Sequence, residues 1–238
     1  MGYAATVHEH LQRVEEANTE AVAQVVGLLL DVVRADGLIH TAGAGHSLAA
    51  VAETFYRAGG LACVRPIYHP DLLPMHGARA STVAERRAGL AAETLGEKPF
   101  GPDDLLIVFS TSGVNPYPVE LAKAAVAAGR PVVGVTSREA SAAAPSRSGT
   151  TLAAESTVVL DNLVRVGDAS YPADSPATAP LSSLANGFLW NLLLVGLQDA
   201  ATAAGIRLPL WRSANMVGGD EANKDLMARY LPLVPVLE

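Results

Sequence analysis

Two short turns carry most of the chemistry the sequence offers. Gly43-Ala44-Gly45-His46-Ser47 and Ser110-Thr111-Ser112-Gly113-Val114-Asn115 each follow an apolar run and precede a helical pattern. A strand that runs into a Gly/Ser turn and then a helix presents unpaired N–H groups and the positive end of a helix dipole. Ser47, Ser110, Thr111 and Ser112 add hydroxyl donors, and Gly45 and Gly113 permit close backbone approach. Together these features bind an anion. Each turn also has an ordinary reading. Gly-x-Gly is often a plain turn, and serines after a strand are often helix N-caps. Two such turns in one chain are more specific than either alone. A dinucleotide fingerprint is disfavoured, because Leu48 stands where a third small residue belongs and no acidic residue follows the second strand at the expected place.

The elements around these turns follow from periodicity. Leu11, Val14, Ala17, Ala21, Val25, Leu28 and Val32 recur at spacings of three and four, which predicts one long helix over 7–34. Strands are predicted at 38–42, 63–67, 105–109, 131–136 and 157–160. The run Leu105–Phe109 is continuously apolar, the mark of a strand buried on both faces. Helices are predicted over 46–58, 82–95, 117–128 and 181–204, with the last mostly buried and Asn191 inside it needing a partner. Residues 68–81 and 166–180 read as loops, 96–102 as a linker, and 206–238 as a Pro-containing tail with one short helix near 220–230. Alternating strands and helices imply an α/β fold with a parallel sheet and right-handed crossovers. Ligands in such sheets sit at the carboxyl ends of the strands, where both turns fall.

Bulk composition narrows the function. The net charge of -7, with Arg86-Arg87 the one adjacent basic pair, disfavours nucleic acid as a partner. A bound phosphate must then be held by hydrogen-bond donors and helix ends. One cysteine, Cys63, excludes a disulfide framework and a Cys-rich zinc site. His46, His69 and His76 show no HxH or HxxxH spacing among themselves, so no metal site and no cofactor is expected. The first twenty residues are too charged for a signal peptide, and the apolar stretches are too short to span a bilayer. A cytoplasmic protein without membrane contact is the expectation.

The turn Val108-Phe109-Ser110-Thr111-Ser112-Gly113-Val114-Asn115 resembles the serine-rich phosphate loop of the sugar isomerase (SIS) domain family, with Asn115 where threonine is usual. Thr41–Ser47 resembles that family's first Gly/Ser loop. The similarity covers about residues 20–205. It implies one SIS-type, flavodoxin-like domain over 1–238: a three-layer α/β fold with a five-stranded parallel sheet flanked by helices. It also implies a phosphorylated sugar as ligand and a homodimer or homotetramer. The tail 206–238 then packs on the core or on a partner subunit. Ser112-Gly113-Val114-Asn115-Pro116-Tyr117 is similar to a segment of the N-acetylmuramic acid 6-phosphate etherase branch, with Val114 replacing an arginine. Phosphoheptose isomerase-like proteins form the competing branch.

The etherase resemblance implies catalytic glutamates on the helix after the first loop and about thirty residues on. Glu53 and Glu85 stand in comparable places. Glu53 lies seven residues past His46, roughly 10 Å from the first turn at about 1.5 Å rise per residue. One carboxylate would take a proton from C2 and the other would protonate the oxygen leaving C3. His46 would bond the substrate or shuttle a proton for ring opening. Ser182 and Ser183, near the start of the long helix, could reach the sugar or phosphate, with N-capping as the competing account. The expected activity is a lyase or dehydratase acting on an N-acetylhexosamine 6-phosphate. An aldose–ketose phosphosugar isomerase and a non-catalytic sugar-phosphate sensor are the alternatives. For Glu53 the plain reading is a surface carboxylate; for Glu85 it is helix-dipole stabilisation.

Overall fold

The structure is a computed structural model that describes residues 2–96 and 100–238; part of the expected linker, residues 97–99, lies outside the described residues. The five apolar runs form β1 (Ile39–Gly43), β2 (Val64–Ile67), β3 (Leu105–Phe109), β4 (Val132–Thr136) and β5 (Val158–Asp161). All pairings are parallel, in the order β2-β1-β3-β4-β5. Every residue of β1, β3 and β4 is buried, as the unbroken apolar runs require. The helices are α1 (Tyr3–Arg34), α2 (Leu48–Thr54), α3 (Ala78–Ala84), α4 (Leu90–Leu95), α5 (Pro116–Ala127), α6 (Arg138–Ala143), α7 (Leu152–Glu155), α8 (Ser182–Ala203) and α9 (Gly219–Tyr230).

Alternate strand residues face opposite layers. Ile39, Leu105, Ile107, Phe109, Val133 and Val135 pack with Val25 and Leu29 of α1 and Leu189, Trp190 and Leu193 of α8. Ala42, Leu106, Val108 and Val132 pack with Tyr117, Leu121 and Ala125 of α5 and Leu90 of α4. The expected five-stranded α/β fold with a long first helix is therefore present. The tail joins the first layer, since Trp211, Tyr230 and Val234 are buried in that core.

Polar groups on the buried stripe of α1 fix it against the edge strand. The Asn18 side chain donates to Val14 O (2.6 Å) and Asp161 O (2.8 Å) and accepts from Asp161 N (2.7 Å). It satisfies backbone groups at the end of β5 that no neighbouring strand pairs.

Three local expectations need correction. The helix read over 46–58 ends at Thr54. Beyond it the Gly59 N–H donates to Trp211 O, Trp211 N to Gly60 O and Ala62 N to Pro209 O, so the tail holds the segment that follows the helix. The helix read over 82–95 breaks after Ala84, where Gly89 adopts φ +84° and its N–H donates to the Glu120 carboxylate (2.9 Å). Asn191 is exposed, and its amide donates to Gly187 O of its own helix (2.8 Å). α8 is apolar around most of its circumference, so sequence alone does not reveal which face meets solvent.

Candidate active site

Strand order decides where the two turns lie. From β1 the chain crosses to β2 on one side, and β3 then lies on the other side of β1. The strand ends Gly43 and Phe109 are register partners, so the turns that follow them leave adjacent strands at the topological switch point.

The second turn is tied down from behind. Ser110 N donates to Val135 O, Ser137 N to Thr111 O (2.9 Å), Thr136 Oγ1 to Thr111 O (3.1 Å) and Leu152 N to Gly113 O (2.7 Å). The Gly113 N–H donates to Ser110 Oγ (3.2 Å). Gly113 has φ +59°, and a Cβ there would lie 2.9 Å from Thr136 Oγ1, so glycine is required twice over. The N–H groups of Thr111, Ser112 and Val114 donate to nothing among the described residues, nor do those of Ala44, Gly45 and His46 in the first turn. Both turns therefore offer free backbone donors to an anion. Ser110, Thr111 and Ser112 are half-buried, as are Gly45 and Ser47; His46 is exposed.

Glu85 follows α3 and stands beside the second turn. Its backbone carbonyl accepts from Tyr117 N (3.2 Å). Burial pushes its carboxyl pKa up, against the opposing pull of Arg86, Arg147 and the Asn115 side chain. Arg147 completes this group, its Nη1 donating to Asn115 Oδ1 (3.1 Å). Sequence reasoning missed Arg147: it comes from a loop 32 residues further on, with no motif around it.

Glu53 lies on α2, in the other layer. It forms an ion pair with Arg57 one helical turn later and faces Gly187 of α8. No hydrogen bond joins Glu53 to Glu85 among the described residues, and the elements that carry them pack on opposite faces of the sheet. Ser182 is turned elsewhere, its hydroxyl donating to Asp168 Oδ2 (2.5 Å), and Ser183 is exposed. An apolar groove of about 480 Å³ opens beside the first turn, lined by His46, Ala52, Phe55, Tyr68 and Met75 among others. Among the described residues no group of three His, Cys, Asp or Glu side chains could hold a metal, and no helix is long and apolar enough to cross a membrane.

These features define an open parallel α/β domain with two glycine- and serine-containing turns, each with unpaired backbone N–H groups, at its strand switch. The SIS domain model matches residues 2–137, and the chain belongs to the SIS domain family, among its UPF0309 proteins. It is 36% identical over 229 residues to a UPF0309 protein of Streptomyces coelicolor, spanning 92% of this chain and 90% of that one. It is 33% identical over 239 residues to a UPF0309 protein of Geobacillus kaustophilus, spanning 99% and 95%. A solved structure of phosphoheptose isomerase from Neisseria gonorrhoeae shares the fold, with a TM-score of 0.52 at 20% identity over 84% of this chain and 95% of that one.

Proposed function

We propose that this chain is a phosphosugar lyase that removes water from an N-acetylhexosamine 6-phosphate such as N-acetylglucosamine 6-phosphate. The observation that carries the reading is the contrast between the settings of two carboxyl groups, Glu85 next to Asn115 of the second turn and Glu53 on the helix that follows the first. Glu85 is pushed towards its protonated form by burial, whereas Glu53 is ion-paired with Arg57. Carboxyls in contrasting settings divide into an acid and a base.

In this reading the phosphate binds the free N–H groups and hydroxyls of the two turns, with Arg147 and Asn115 closing one side. The open-chain sugar extends between them. The Glu53 carboxylate takes the proton from C2, which the C1 aldehyde acidifies. The C2–H electron pair becomes the C2–C3 double bond and the C3–O bond breaks. The Glu85 carboxylic acid gives its proton to the departing hydroxyl, which leaves as water. His46, at the rim, serves ring opening. The apolar groove beside His46 receives the acetyl methyl group. Homodimeric or homotetrameric assembly, which the family resemblance implies, is read from the solution mass.

The test is incubation with N-acetylglucosamine 6-phosphate, followed by mass analysis for loss of water. Glu53→Gln and Glu85→Gln should each lower turnover by about 10²–10⁴-fold with binding retained. Undiminished turnover in either variant removes that residue from the mechanism. Solvent deuterium at C1 or C2 with the C3 oxygen kept would instead establish an aldose–ketose isomerase. Saturable binding with no product would establish a sensor.

A further inference from the structure

We infer that the pocket between the start of α1 and the β5–α8 connection is a second binding site, for a small dianion carrying a hydroxyl group. This inference is independent of the lyase reading. The pocket has a volume of about 240 Å³, a size that suits a compact metabolite. Arg13 and Arg165 reach it from two separate segments. Neither forms a salt bridge among the described residues.

The pocket's negative groups are Glu9 and Asp168. Asp168 is already committed: it accepts from the N–H groups of Leu181 and Ser182 (2.9 Å each) and from the Ser182 hydroxyl (2.5 Å). Its charge is offset by the start of α8. His10 contributes a different donor–acceptor pattern. It is 6% exposed, and its Nε2 lies 3.0 Å from the carbonyl oxygen of Asn162. A carbonyl oxygen only accepts, so Nε2 carries the proton. Nδ1 is left as an acceptor without a partner among the described residues. Burial lowers the imidazole pKa, which keeps the ring neutral. Two unpaired guanidinium groups and one neutral acceptor together select two negative charges and one hydroxyl donor, the chemistry of a hydroxydicarboxylate or of a phosphate ester that carries a free hydroxyl.

The site is distinct from the anion turns, none of whose residues lines it. β5 lies two strands from β3, about 10 Å at roughly 4.8 Å per strand. The wall is preformed: Leu163 and Asp168 both line the pocket with left-handed backbones, at φ 53° and 61°. A physical path also leads from it to the candidate active site. Asp168 holds the start of α8, and Gly187 of α8 packs against Glu53.

The test is calorimetric titration of hydroxymalonate and of inorganic phosphate, separately, into three proteins. These are the native protein, Ser112→Asp, which places a carboxylate in the second turn, and the double variant Arg13→Ala/Arg165→Ala built on Ser112→Asp, so that the turns take no probe. Both arginines are exposed, so the double variant should melt as Ser112→Asp does. The expected result is saturable binding that survives Ser112→Asp and weakens at least tenfold in the double variant. The stronger of the two probes identifies the ligand class. Binding abolished by Ser112→Asp, equal in the double variant, or absent in the native protein at 10 mM probe would overturn the proposal. If the double variant fails to fold, Arg165→Gln on Ser112→Asp replaces it, with the same expected weakening and the same refuting result.

Discussion

Replacing Gly113 with alanine probes the turn on which the proposed phosphate binding depends. A left-handed backbone costs a non-glycine residue about 1–2 kcal/mol. Gly113 and Gly45 share that conformation, at φ +59° and +58°. Their surroundings differ. A Cβ at Gly45 meets nothing within 4 Å, whereas at Gly113 it lies 2.9 Å from Thr136 Oγ1 and 3.2 Å from Leu152 Cβ. The Thr136 hydroxyl donates to Thr111 O, so moving it loosens the second turn and forfeits roughly 1 kcal/mol. Gly45→Ala should therefore lose about 1–2 kcal/mol and Gly113→Ala about 2–3 kcal/mol. Urea unfolding of both variants beside the native protein measures the difference. Phosphosugar affinity should also fall about tenfold or more in Gly113→Ala, because a displaced N–H loses a charge-assisted hydrogen bond worth about 1.5–3 kcal/mol. Equal losses of stability for the two variants would refute the argument that Thr136 and Gly113 are packed to brace this turn.

Other outcomes follow from the same physics. Because the folded-state pKa of Glu85 is raised, the native state holds this proton to higher pH than the unfolded chain. The contribution of Glu85 to stability falls as pH rises from about 4.3 through the raised value. Glu85→Gln should thus gain on the native protein with rising pH in thermal melts, and turnover should fall over the same window as the acid loses its proton. Asp104 behaves oppositely. Burial raises its pKa, but His40 Nε2 (2.7 Å), Leu38 N (2.8 Å) and Gly101 N (2.7 Å) more than offset that, and the net shift is downward. Its stabilisation is present above about pH 4 and lost as pH falls through the lowered value, so Asp104→Ala should cost about 3–5 kcal/mol at pH 7 and less in acid. Asn18→Ala should cost about 2–4 kcal/mol in urea unfolding, since both backbone groups of Asp161 lose their partner. Cys63 is fully buried with its thiol pKa pushed up to about 12, so a thiol reagent should label it in urea and not in the native state.

The strands could be read from the chain because what defines them is local. Leu105–Phe109 and Val132–Thr136 are apolar at every position or nearly so, and a strand buried on both faces needs nothing more. That each turn follows a strand and opens a helix was equally legible, since glycine, serine and proline act on their own neighbours. That the two turns stand side by side was not, because it depends on β3 pairing with β1 rather than with β2. Helix ends at Thr54 and Ala84 escaped for a related reason: the segments that follow them are held at Gly59, Gly60 and Gly89 by Trp211 and Glu120, which lie far along the chain. The same holds for the electrostatics. Glu85 acquires its raised pKa from burial beside Asn115 and Arg147, and His10 its free nitrogen from a bond to Asn162. Local preference acts over a few residues, whereas burial and charge pairing act between whatever the folded sheet brings together.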